Sequence, residues 1–160
     1  MAVKQGNKVP AGSFKVMTSE GPKDVSTDDL FSGKTIAFFA LPGAFTPTCS
    51  AKHLPGFVQN VAALKAKGVD AIACTSANDV FVMAAWGKDQ GCDGKVDLLA
   101  DGSADFAKAM GLELDLGARG MGMRSQRYSM IVTDGTITRL NVEEPGAYEV
   151  SSAEHMLTQL

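Results

Sequence analysis

The chain has 160 residues, a length that suits one domain spanning 1–160 with a core of its own. Hydrophobic residues make up 45% and charged ones 21%, the formal charge is −3, and no run of five like charges occurs, which argues against nucleic-acid or anionic-membrane binding. No apolar run approaches the roughly 20 residues of a bilayer span. The opening MAVKQGNKVPAGSF lacks the apolar stretch of a secretory signal and the arginines of a transit peptide. Three cysteines, Cys49, Cys74 and Cys92, with no C-x-x-C, fit a reducing, cytoplasmic setting better than a disulfide scaffold.

The first thirty residues read as short extended pieces, with SFKVM and PKDVS able to pair around SEGP. STDDLFSG follows as one helical turn capped by Ser26 or Thr27. TIAFFAL (35–41) is a continuous apolar run of strand length, expected at the sheet centre and buried on both faces. From Cys49 to Lys67, Leu54, Phe57, Val58, Val61 and Leu64 recur at spacings of three and four. The pattern predicts an amphipathic helix ending at Gly68 and kinked or broken at Pro55. VDAIACTS (69–76) is the next buried strand, followed by a helix over DVFVMAAWGKDQ with Asn78 as its cap. VDLLAD (96–101) is a third strand, and SADFAKAMG a helix capped by Ser103 and closed by Gly111. RYSMIVT and TITRLNVE flank Asp134-Gly135, a two-residue hairpin signal, and SAEHMLTQL ends the chain as a short helix. The alternation predicts a three-layer α/β fold with a mixed sheet, of which a thioredoxin-like sheet is one form. GARGMGMR between these elements reads as a flexible loop.

The chemistry centres on PGAFTPTCS, residues 42–50, between the central strand and its helix. The loop delivers Cys49 to the first helical turn, where free amides and the positive end of the dipole favour a thiolate. Such positions lower cysteine pKa values in general, and the thiolate is the reactive form. Thr46, three residues earlier, is placed for its hydroxyl to face the sulfur and a bound substrate. Pro42 and Pro47 stiffen the loop, and Pro42 is a candidate shield against water. The plainer alternative makes Thr46 and Thr48 helix caps and the prolines mere turn formers.

PGAFTPTC followed by SAKHLPGF resembles the active-site segment of the peroxiredoxins, most closely their type II, atypical or peroxiredoxin-5 group. The similarity extends through the segment around Trp86 and through GKVDLLADG, and so covers nearly the whole chain. It implies a thioredoxin-like fold with a central mixed sheet and a thiol-dependent peroxidase without metal or organic cofactor. Cys49 would attack a hydroperoxide and become a sulfenic acid, with Arg127, Thr46 and Pro42 completing the site. The resemblance also implies a homodimer whose interface borders the active site. Some members of the group resolve the sulfenic acid with a cysteine near the C-terminus, but AYEVSSAEHMLTQL has none. Cys74 lies within a predicted strand and reads as core, while Cys92, in DQGCDGK, reads as an exposed loop residue. A one-cysteine cycle recycled by glutathione with glutaredoxin, or by thioredoxin, is the expectation.

Other readings of the same residues carry less. Cys49 and His53 are four apart, a spacing metal ligands use, but no second ligand motif accompanies them, and His53 reads as a surface or partly buried helix residue. A cysteine hydrolase needs a G-x-[SC]-x-G elbow on a tight strand-to-helix turn, whereas the strand here ends several residues before Cys49. A redox sensor using the same thiol is the non-enzymatic alternative. Without the resemblance, Arg119, Arg124 and Arg127 read as a solvated basic loop or, more weakly, as an anion site.

Overall fold

Nine strands and six short α-helices succeed one another along the computed structural model, which describes residues 1–160. β1 (Ser13–Thr18) and β2 (Gly21–Ser26) form the expected antiparallel hairpin, and the Ser26 hydroxyl caps α1 (Thr27–Phe31) by accepting from the Asp29 amide at 3.0 Å. β3 (Thr35–Ala40), the apolar run, is central. It runs parallel to β4 (Ala71–Ser76) and antiparallel to β8 (Tyr128–Thr133). With β5 (Asp97–Ala100) and β9 (Thr136–Val142) the seven-stranded sheet has the order β2-β1-β5-β4-β3-β8-β9. Asp134 and Gly135 turn β8 into β9 with φ of 47° and 79°, the left-handed conformations that this pair tolerates.

Side-chain alternation along β3 divides the core. Ile36, Phe38 and Ala40 pack with Phe14, Phe31, Phe106, Met130 and Val132, beneath α1 and α5 (Asp105–Met110). Ala37, Phe39 and Leu41 pack with Phe57, Leu64, Trp86 and Met156, from α2 (Leu54–Gln59), α3 (Val61–Ala66), α4 (Val80–Gln90) and α6 (Ala153–Leu157). The outcome is a thioredoxin-like three-layer α/β fold with a mixed sheet.

Several local expectations need correction. The long helix after Cys49 is three pieces: a π-helical turn over Cys49–His53, then α2, then α3. The Leu54 amide donates to the Cys49 carbonyl five residues back, so the turn is wide. Pro55 then falls in the first turn of α2, where its missing N–H costs nothing, and the break comes at Asn60 instead. Asp79, not Asn78, caps α4, its Oδ1 accepting from the Phe81 and Val82 amides at 2.9 Å each. Ser103 does not cap α5. The Asp101 carboxylate does, accepting from the Phe106 and Ala107 amides at 3.0 Å each, past a left-handed Ala104 with φ of 60°. GARGMGMR is not a loose loop. Its 3-10 turn, Gly117–Arg119, joins β6 (Glu113–Leu116) to β7 (Gly122–Ser125), a separate two-stranded sheet.

Candidate active site

β3 ends at Ala40, and the loop that follows is tied down group by group. The Thr46 hydroxyl donates to the Gly43 carbonyl at 2.6 Å, the Ala44 amide to Asn78 Oδ1 at 2.9 Å, and the Ser50 amide to the Thr46 carbonyl at 3.0 Å. Asn78, expected as a helix cap, is thus a brace for this loop. The chain then enters the π-helical turn with Cys49 as its first residue, fully buried. Trp86, the only tryptophan, donates its indole N–H to the hydroxyl of Ser50 at 3.0 Å.

Arg127 precedes β8 and turns back across the sheet end. Its Nη2 donates to Cys49 Sγ at 3.2 Å, and its Nη1 donates to His53 Nδ1 at 2.8 Å. The Arg127 carbonyl accepts from the Glu143 amide at 3.0 Å, which fixes the backbone beneath the guanidinium. The guanidinium brings a permanent positive charge and hydrogen-bond donors to the sulfur.

His53 is not a surface residue: it is fully buried, one helical turn from Cys49. Its Nε2 lies 2.9 Å from the Ser151 carbonyl, which can only accept, so Nε2 carries the proton and Nδ1 is free to accept from Arg127. Burial, and then the Arg127 charge, push its pKa down to about 3, so the ring is neutral at ordinary pH. Phe39 and Tyr148 pack on it, with ring centroids 4.8 and 5.3 Å away. Ser151 is itself held by buried Glu143. One oxygen of that carboxylate, Oε2, accepts from the Glu149, Val150 and Ser151 amides and from the Ser151 hydroxyl at 2.7–3.0 Å. Burial acts to raise the Glu143 pKa, but these hydrogen bonds outweigh it and hold the group below its usual range.

Among the residues expected at the site, Cys49 and Arg127 meet directly. Thr46 makes no hydrogen bond to the sulfur. Its proton is committed to Gly43, which leaves the hydroxyl lone pairs as acceptors. Pro42 lines a cavity of about 250 Å³ with Thr48, Gln126, Arg127, Glu143 and Pro145. A larger cavity, of about 660 Å³, lies between β1, β5 and α4, remote from this chemistry. Arg119 is exposed and takes no part, while Arg124 reaches the loop through the Pro42 carbonyl at 3.1 Å.

Cys74 is core as expected, and burial raises its thiol well above the ordinary range. Cys92 is not exposed. Gly91, left-handed at φ 67°, ends α4, and the Cys92 amide donates back to the Gly87 carbonyl at 2.9 Å. This is a Schellman closure, which folds the residue after glycine onto the helix. Cys92 is 2% exposed, and burial pushes its pKa up to about 11. His53, Glu143, Asn78 and Arg124 escaped the sequence reading. Only the four-residue spacing of Cys49 and His53 could have indicated one of them.

A buried cysteine at a helix mouth, its sulfur facing a guanidinium on a thioredoxin-like sheet, defines a thiol-based oxidoreductase. A family model described as Redoxin matches residues 4–157. Peroxiredoxin-2E of Arabidopsis thaliana, a chloroplastic protein, is 46% identical over 99% of this chain and 70% of its own length. The structure of reduced Prx3 from Vibrio vulnificus in complex with hydrogen peroxide is 49% identical, covers 98% of both chains and superposes with a TM-score of 0.95. Peroxiredoxin 5 from Alvinella pompejana is 31% identical, covers 98% of this chain and 96% of its own, and has a TM-score of 0.87. The chain belongs to the peroxiredoxin family and is a thiol-dependent peroxidase.

Proposed function

We propose that Cys49 is the peroxidatic residue of a one-cysteine cycle acting on hydrogen peroxide and small alkyl hydroperoxides. The contact between Arg127 Nη2 and Cys49 Sγ carries the reading. The thiolate attacks the terminal peroxide oxygen: an S–O bond forms and the O–O bond breaks. The departing oxygen takes the electron pair and a proton, leaving as water or an alcohol. Sulfur is oxidised by two electrons to sulfenic acid, and the peroxide is reduced. Arg127 stabilises the charge that develops across the breaking O–O bond. The Thr46 hydroxyl, its own proton held by Gly43, accepts from the O–H of the peroxide, and Pro42 limits water at the cavity wall.

Resolution falls to an external thiol. Cys74 and Cys92 are buried with raised pKa values, and neither is offered to solvent as an attacking thiolate. A first thiol forms a mixed disulfide with Cys49 and releases water, and a second thiol frees Cys49. Glutathione with glutaredoxin, or thioredoxin, supplies these thiols, and the cytoplasm suits them. The homodimer rests on the resemblance to the peroxiredoxins, with exposed Phe45, Phe81 and Met123 as candidate contacts. Mass spectrometry of the peroxide-treated protein tests the cycle: a lone sulfenic acid at Cys49 is expected. An intramolecular disulfide to Cys74 or Cys92 would overturn it.

A further inference from the structure

We infer that Arg124 is a positioning residue for peroxide reduction, holding the Pro42–Thr46 turn in its reactive shape from the small second sheet. The inference rests on the reading of Cys49 as the reacting residue.

Arg124 lies on β7, outside the seven-stranded sheet. Its guanidinium spans two carbonyls, with Nε donating to Met121 at 2.8 Å and Nη1 to Pro42 at 3.1 Å. Gly43 leaves the room for this. A Cβ built there would lie 2.6 Å from Arg124 Nη1 and 3.2 Å from Thr46 Cγ2. Gly43 is therefore needed for close approach, and the atoms that crowd it are the clamp and the threonine of the site.

The turn belongs to no sheet ladder, so its shape depends on ties made one at a time. Asn78 holds the Ala44 amide from the end of β4, and Arg124 holds the Pro42 carbonyl from the opposite hairpin. Between them, Gly43 presents the carbonyl that takes the Thr46 proton. A shift of Pro42–Gly43 therefore redirects the Thr46 hydroxyl, even though Arg124 makes no hydrogen bond to the sulfur. Lysine keeps the charge but lacks the planar fork that serves two carbonyls.

The test measures the second-order rate of Cys49 oxidation by hydrogen peroxide, from rapid quenching into dimedone and mass spectrometry. It compares wild type, Arg124→Ala, Arg124→Lys, Gly43→Ala and the double Gly43→Ala/Arg124→Ala. The thermal midpoint and the rate at which dithiothreitol reduces the sulfenic acid are recorded for each. Arg124→Ala is expected to slow oxidation about tenfold or more, since small misplacements at reacting centres cost up to about 100-fold. Arg124→Lys should restore part of the rate. Gly43→Ala should slow oxidation at least comparably, since its methyl meets both Arg124 and Thr46. The double variant should be no slower than Gly43→Ala, in which the Arg124 tie is already lost. The dithiothreitol step should stay within about twofold throughout. Oxidation within twofold of wild type in Arg124→Ala overturns the role, as do multiplied penalties or equal slowing of both half-reactions with a fallen midpoint. A wild-type protein whose Cys49 does not react removes the functional reading itself, whereas a reactive wild type with an unaffected Arg124→Ala removes only the clamp.

Discussion

Cys49 and Cys74 occupy the same apolar cluster, and both are fully buried. Cys74 sits mid-strand in β4, aligned with Phe39 on one side and Leu98 on the other. No hydrogen-bond donor reaches its sulfur, and burial drives its thiol toward the neutral form. Cys49 opens a helical turn, and half-buried Arg127 brings a donor to its sulfur at 3.2 Å. Burial is thus common to both cysteines. The difference lies in whether a cation reaches the sulfur: Arg127 meets Cys49, and no donor meets Cys74.

The comparison is broken first at the sulfurs themselves. Cys49→Ser should reduce peroxide consumption to background. Cys74→Ser should keep peroxidase turnover per folded molecule within about twofold and instead lower stability by about 1–3 kcal/mol, through an unsatisfied hydroxyl in the core. Coupled peroxidase assays and chemical denaturation separate the two outcomes, and a dead Cys74→Ser that remains folded would place Cys74 in the cycle. Removing only the cation comes next. Arg127→Ala should lower the rate of Cys49 oxidation by about 10²–10³-fold while Cys49 remains present and buried, the scale seen when a charge-stabilising donor is lost. Equal stopped-flow rates for the variant and wild type would contradict this.

Smaller effects lie one contact further out. His53→Asn should slow peroxide reduction by about tenfold, because the shorter amide cannot hold Arg127 and the Ser151 carbonyl at once. It should also change the pH dependence of stability. In the folded protein His53 stays neutral down to a pKa of about 3, against 6.5 for the unperturbed residue. The unfolded chain therefore takes up a proton that the folded chain refuses. Stability from this group is full above about pH 6.5 and falls as pH drops toward 3, by about 2 kcal/mol at pH 5. Denaturation at pH 7.5 and pH 5 should show that loss in wild type and its absence in His53→Asn. The smallest change is at Tyr128, the neighbour of Arg127. Strand alternation sends its ring to the opposite face, where its hydroxyl is buried without a hydrogen-bond partner. Tyr128→Phe should leave activity unchanged and stability equal or slightly higher, and a loss of more than about 1 kcal/mol in a melt would reveal a hidden partner.

What the sequence made readable follows from where the information lies. β3, β4 and the hairpin at Asp134-Gly135 were legible because apolar runs and turn residues are local signals. The Cys49 loop was legible because its residue types crowd into nine positions. β6 and β7 were not, since each is four residues long and glycine-rich at its ends, and only their pairing defines them. Asp101 caps a helix from outside it, and Cys92 is buried by a backbone closure that composition does not display. His53 looked like one more helix residue because its two partners, Ser151 and Arg127, come from 98 and 74 positions away.

The bond from Trp86 to Ser50 gives the molecule an optical signal of its own. With one indole in the chain, joined to the residue after Cys49, indole fluorescence excited apart from the two tyrosines reports on a single place. Any rearrangement of the helix mouth during turnover that shifts Ser50 also alters the surroundings of that indole. Emission near the red edge then becomes a real-time trace of the Cys49 turn, with no label attached and no residue replaced.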